Sequence, residues 1–95
     1  MRYVIDIDGT ICTQETIETT DLAKPYKDII KKINRLHDDG NYIIMFTART
    51  GDYYRQTKKQ LEDWGLKFHQ LVMNKPHGDI YVDDKAAAPR VLIGL

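Results

Sequence analysis

Apolar residues fall in short runs and spaced stripes that alternate along the chain. Tyr3, Val4, Ile5 and Ile7 form a mostly β-branched run, interrupted by Asp6 and Asp8 and closed by Gly9. It reads as a short strand buried on both faces. From residue 10 to 24, Thr and Glu dominate and no long period appears, which predicts a loop or short hairpin flap. Pro25 suits the first position of a helix. Ile29, Ile30, Ile33 and Leu36 then recur at helical spacing against Lys27, Lys31, Lys32 and Arg35, and Gly40 is a natural stop. Residues 42–46 make a second buried strand that ends in the polar turn Thr47-Ala48-Arg49-Thr50-Gly51. Asp52 is a candidate N-cap for a second helix with Tyr54, Thr57, Leu61 and Trp64 on its inner face and Gly65 at its end. Residues 66–73 read as a third strand with its flanks, and 74–78 as a Pro- and Gly-punctuated loop. Residues 80–82 read as a fourth strand, and 91–93 as a short fifth.

This alternation predicts one α/β domain over residues 1–95, a three-layer Rossmann-like fold with a mainly parallel sheet and helices on both faces. In a parallel sheet the strand ends of one sense share an edge, so residues distant in sequence meet there. Asp6 and Asp8 follow the first strand, Thr47 and Arg49 the second, Lys75 the third, and Asp83 and Asp84 the fourth. Two neighbouring carboxylates repel unless a cation or a shared proton relieves them. A hard divalent ion held by oxygen ligands, such as Mg²⁺, meets that need. The hydroxyl, ammonium and guanidinium opposite suit a phosphate group. Neither a dinucleotide fingerprint nor a Walker-type loop is present.

Composition narrows the picture. The formal net charge is zero, with 14 basic and 14 acidic residues, which argues against nucleic acid as a partner. The single cysteine, Cys12, excludes an internal disulfide and reads as a small loop side chain. No apolar stretch approaches a membrane span and no secretory signal is visible, so no membrane partner and a cytoplasmic location are expected.

The ordered set Asp6-Ile7-Asp8-Gly9-Thr10, Thr47, Lys75 and Asp83-Asp84 resembles the four motifs of haloacid dehalogenase-superfamily phosphohydrolases. Residues 47–51 and 74–85 look like those of small phosphatases linked to capsule or surface-polysaccharide biosynthesis. The usual cap domain has no room between the motifs, so the resemblance implies a capless member. It implies that Asp6 is the nucleophile forming an aspartyl-phosphate and Asp8 the general acid and base. It further implies that Mg²⁺ is held by Asp6, the Asp8 backbone carbonyl and Asp84, with Asp83 as an outer ligand or a partner of Lys75. Thr47 and Lys75 would bind the phosphoryl oxygens. Arg49 would bind the leaving group or pair with an acidic residue, and His77 reads as a polar loop residue. The expected activity is phosphomonoester hydrolysis of a small phosphorylated metabolite, such as a sugar or polyol phosphate. A homo-oligomer could close the open crevice. A polynucleotide or other macromolecular phosphatase is the alternative, and a receiver-like phospho-accepting module the non-enzymatic one.

Overall fold

The computed structural model describes residues 1–76. The expected strands at 80–82 and 91–93, and with them His77, Asp83 and Asp84, lie outside the described residues. Strand β1 spans Arg2–Asp6, β2 spans Tyr42–Phe46 and β3 spans Gln70–Val72. They form a parallel sheet in the order β1-β2-β3. Tyr3 faces Ile43, Ile5 faces Met45, and Met45 faces Leu71 across the ladder.

Helix α1 (Lys27–Asp38) connects β1 to β2, and α2 (Tyr54–Asp63) connects β2 to β3. Both crossovers step one strand in the same direction. Their shared right-handedness therefore puts both helices on one face of the sheet. The core agrees: Ile30 and Ile33 of α1 and Leu61 of α2 pack with Ile7, Ile43, Met45 and Leu71. Asn34 of α1 ties the helices together. Its Nδ2 donates to the Gly65 carbonyl at 2.8 Å and its Oδ1 accepts from the Lys67 N–H at 2.8 Å.

The opposite face carries Val4, Ile44, Phe46 and Val72 by alternation. Val4 is 59% exposed. The expectation of a first strand buried on both faces is therefore corrected, and within the described residues helices cover one face, not both. A run of consecutive apolar residues signals two hydrophobic faces without showing that both are covered.

The helix ends follow from local chemistry. Gly40 takes φ +92, a left-handed conformation that side chains disfavour. It lets its own N–H reach the His37 carbonyl and the Asn41 N–H reach that of Leu36, each at 3.1 Å. The end of α2 repeats this arrangement at Gly65 and Leu66. The N-termini differ from expectation. Pro25 lies before the helix in a bridge to Cys12, because the Tyr26 N–H donates back to the Ile11 carbonyl at 2.8 Å. Asp52 lies inside a 3₁₀ turn, Gly51–Tyr53, and does not cap α2. Tyr54 is exposed and lines a surface cavity with Phe68 and His69, so the inner stripe of α2 begins at Thr57. Among the described residues, no helix is long and apolar enough to cross a membrane.

Candidate active site

β1 ends at Asp6, and the chain then turns sharply. The Thr10 and Ile11 N–H groups both donate to the Ile7 carbonyl at 3.0 Å, and the Gly9 N–H donates to that of Cys12. Gly9 has φ +80, and a Cβ there would meet Gln14 Oε1 at 2.8 Å. Glycine is thus favoured by the backbone conformation, while the Gln14 amide could swing aside for a Cβ. That loop closes on itself: the Thr13 N–H donates to the Lys24 carbonyl at 2.9 Å, and the Lys24 N–H to Thr13 Oγ1 at 2.9 Å. Between these anchors lies a 3₁₀ turn over Ile17–Leu22. The flap expected from sequence is therefore a closed loop with hydrogen-bonded feet.

The loops after β2 and β3 are bound to each other. The Thr47 N–H donates to the Val72 carbonyl at 3.0 Å, and the Lys75 N–H to that of Thr47 at 2.9 Å. Asn74 takes φ +63, which Asn tolerates better than most residues. Its N–H donates to the Arg49 carbonyl at 2.9 Å, and its Oδ1 accepts from the Gly51 N–H at 3.2 Å. These bonds bring Lys75 to the edge that carries Asp6, and Lys75 Nζ lies 4.0 Å from Asp6 Oδ1. Lys75 Nζ also sits 5.6 Å from the centre of the Phe46 ring.

Asp8 is held differently. Arg49, only 2% exposed, donates from Nε to Asp8 Oδ2 at 3.0 Å and from Nη2 to Asp8 Oδ1 at 2.8 Å. This is the bidentate geometry that suits guanidinium to carboxylate. Arg49 Nη1 donates to Gln60 Oε1 at 2.7 Å and to Thr57 Oγ1 at 3.2 Å. Gln60 Nε2 in turn donates to the Thr20 carbonyl at 2.8 Å. A polar chain thus runs from Asp8 through Arg49 and Gln60 into the loop. Of the two roles open to Arg49, the structure contains the ion pair.

The structure therefore gathers Asp6, Asp8, Thr47, Arg49 and Lys75 at one sheet edge. Thr47 is buried, and its Oγ1 accepts the Arg49 backbone N–H at 3.1 Å, which leaves its proton to donate. Gln60 and Asn74 carry no expected role in the sequence. The signal for Gln60 is a polar residue beside the inner stripe of α2, and for Asn74 an Asn at a strand end before Lys-Pro. Among the described residues, no group of three or more His, Cys, Asp or Glu side chains is placed to hold a metal ion. A cavity of about 270 Å³ opens beside Asp8, under the 13–24 loop. A larger one, about 580 Å³, lies at the opposite edge around His69, whose ring stacks on Tyr42 at the start of β2.

Cys12 lies buried against this site, with Sγ 3.6 Å from the Ile7 carbonyl oxygen and 3.9 Å from Asp8 Oδ1. Burial, reinforced by the Asp8 charge and opposed by Arg49, pushes its thiol up from 9.0 to about 11. Thiolate is the reactive form, so the folded protein should resist alkylation at neutral pH. Mass spectrometry after iodoacetamide treatment at pH 7.5 should show unmodified native protein and full labelling in denaturant. Rapid native labelling would contradict this burial. The folded value is the raised one, so this thiol's contribution to stability is complete below about pH 9 and lost as pH rises through about 11.

No family model and no curated protein sequence matches the chain. Solved structures do. A structural-genomics target from Vibrio cholerae aligns over 99% of this chain and 88% of its own, with TM-score 0.69 and 22% identity. Two structures of the Pnkp1/Rnl/Hen1 complex, one described as an RNA repair complex, align over 84% of this chain with TM-scores 0.67 and 0.65 and identities of 19% and 20%. The chain spans only 29% and 27% of those two partners' length. At such identity the likeness shows the fold, a small parallel sheet flanked by helices. It also corrects the expectation drawn from charge, that nucleic acid is an unlikely partner, because this fold occurs inside an RNA repair assembly. A basic surplus reports on binding many backbone phosphates. A site for one terminal phosphate needs only local charge, such as that of Lys75.

Proposed function

We propose that this chain is a phosphohydrolase that removes a terminal phosphate from a polynucleotide. The observation that carries the reading is the division of labour between the two carboxylates. Asp6, its side chain 39% exposed, faces the Lys75 ammonium, while both Asp8 oxygens are fixed by a buried arginine. One carboxylate is available for attack and the other is oriented. The likeness to chains of an RNA repair complex favours a polynucleotide over a small metabolite.

Asp6 attacks phosphorus and forms an aspartyl-phosphate, expelling the leaving oxygen in line. Lys75 and the Thr47 hydroxyl neutralise and orient the phosphoryl oxygens. Asp8 enters the cycle protonated, gives its proton to the leaving oxygen, and as the resulting carboxylate takes one from the water that hydrolyses the intermediate, which restores it. A carboxylate offers about four acceptor positions, so the two Arg49 bonds leave room for that exchange.

The donors present suit Mg²⁺ in part. Asp6 is a hard oxygen ligand with no hydrogen bond from the described residues, whereas Asp8 has its side chain engaged and would contribute its backbone carbonyl. The resemblance assigns a further ligand to Asp84 and an outer one to Asp83, both outside the described residues. Bound there, the ion would offset the repulsion between carboxylate and phosphate.

Incubating the protein with Mg²⁺ and oligonucleotides phosphorylated at the 3′ or the 5′ end should release inorganic phosphate, and chelation should stop the release. A folded, metal-supplied protein that leaves both ends phosphorylated would overturn the reading.

A further inference from the structure

A cavity of about 270 Å³ lies beside Asp8, the residue that protonates the leaving oxygen in the proposed reaction. Its lining is distinctive. The charged residues around it are Asp8, Glu15 and Arg49, and Gln14, Ile17 and Thr20 supply the rest of the loop wall. The guanidinium of Arg49 is already committed to Asp8, Thr57 and Gln60. Among the described residues, then, no lining cation remains for a second phosphate, and a carboxylate stands in its place. Glu15 is fixed by its neighbour: Thr13 Oγ1 donates to Glu15 Oε1 at 3.1 Å while accepting the Lys24 N–H. Its other oxygen, Oε2, has no hydrogen-bond donor among the described residues. Ile17, 38% exposed, offers an apolar surface on the same wall.

A carboxylate oxygen without a partner among the described residues, in a cavity with no uncommitted cation among them, selects a neutral donor, and a hydroxyl beside the phosphate is such a group. The volume, about 270 Å³, suits one sugar and not a stack of nucleotides. We propose that this cavity is the leaving-group subsite and that Glu15 accepts a hydrogen bond from the hydroxyl vicinal to the scissile phosphate, so that RNA ends are preferred to DNA ends. The 2′-hydroxyl is the group by which a protein distinguishes the two. This inference rests on the phosphohydrolase reading for its orientation, yet it can be tested by binding alone.

The experiment measures equilibrium affinity, with divalent ions chelated so that the ligand is not turned over, for a 3′-phosphorylated diribonucleotide and its deoxyribose counterpart, by titration followed with amide NMR shifts. Wild-type protein should bind the ribose form about tenfold more tightly, the scale of one hydrogen bond to a charged group. Glu15→Ala should bring the two affinities within about twofold, and Glu15→Gln, which keeps an acceptor oxygen, should retain part of the preference. Shifts should concentrate at Gln14, Glu15 and Thr20. Equal affinities in the wild type, or a preference that survives Glu15→Ala, would overturn the proposal. A ribose preference without phosphate release when Mg²⁺ is supplied would leave the subsite standing and remove the hydrolase.

Discussion

Asp6→Asn is expected to eliminate phosphate release while leaving the fold intact. The substitution keeps size and shape but removes the nucleophilic oxygen pair, and loss of a nucleophile costs on the order of 10⁴-fold or more in turnover. Asp8 is badly placed to substitute, since the two Arg49 bonds, at 3.0 and 2.8 Å, hold its carboxyl group in a fixed orientation. The effect on stability should be small. The Asp6 side chain is 39% exposed and its ion pair with Lys75 is long, at 4.0 Å, and such pairs contribute about 1 kcal/mol or less. Phosphate release and a denaturation midpoint, measured on the same preparation, separate the two. Residual activity above about a tenth of wild type would show that another group attacks phosphorus.

Arg49→Met should do the opposite, acting first on the fold. Arg49 is 2% exposed and its partner Asp8 16%, so the variant strands a carboxylate in a mostly dry setting and leaves Thr57 and Gln60 without their donor. Removing one member of a buried pair costs about 3–5 kcal/mol. For a domain of this size that is a fall in melting temperature on the order of 15 °C or more. The double variant Asp8→Leu/Arg49→Met should recover much of the loss, because no charge is left uncompensated. It should remain inactive, having lost the group that moves protons. A single variant that melts within a few degrees of wild type would mean that the pair is effectively solvated.

What could be read in advance divides by range. β2 is found where the pattern puts it, because five apolar residues between a helix stop and a polar turn admit few alternatives. The stops at Gly40 and Gly65 are equally local, each decided by one residue free to take positive φ. The helix starts were misread because they depend on distant partners: Tyr26 is tied to Ile11 across the loop, and Asp52 is absorbed by a 3₁₀ turn. The same holds in the site. The positions of Asp6, Asp8, Thr47 and Lys75 at one edge follow from the parallel topology. The role of Arg49 did not, since its choice between ligand and ion pair turns on a contact between residues 41 apart in sequence. Gln60 was invisible for a like reason, its two partners lying in other elements.

The polar chain from Asp8 through Arg49 and Gln60 to Thr20 has a consequence for how the chain folds. Its links close sequence separations of 41, 11 and 40 residues. Each long closure carries an entropic cost that neighbouring contacts must offset first. The buried guanidinium is stable only once β1 has paired with β2 and α2 has docked, so it belongs to the late, native side of the folding barrier. Such contacts govern the rate of unfolding more than the rate of folding. The arginine that orients Asp8 thus also acts as a latch on the native state, and the lifetime of the folded molecule is coupled to the integrity of its site.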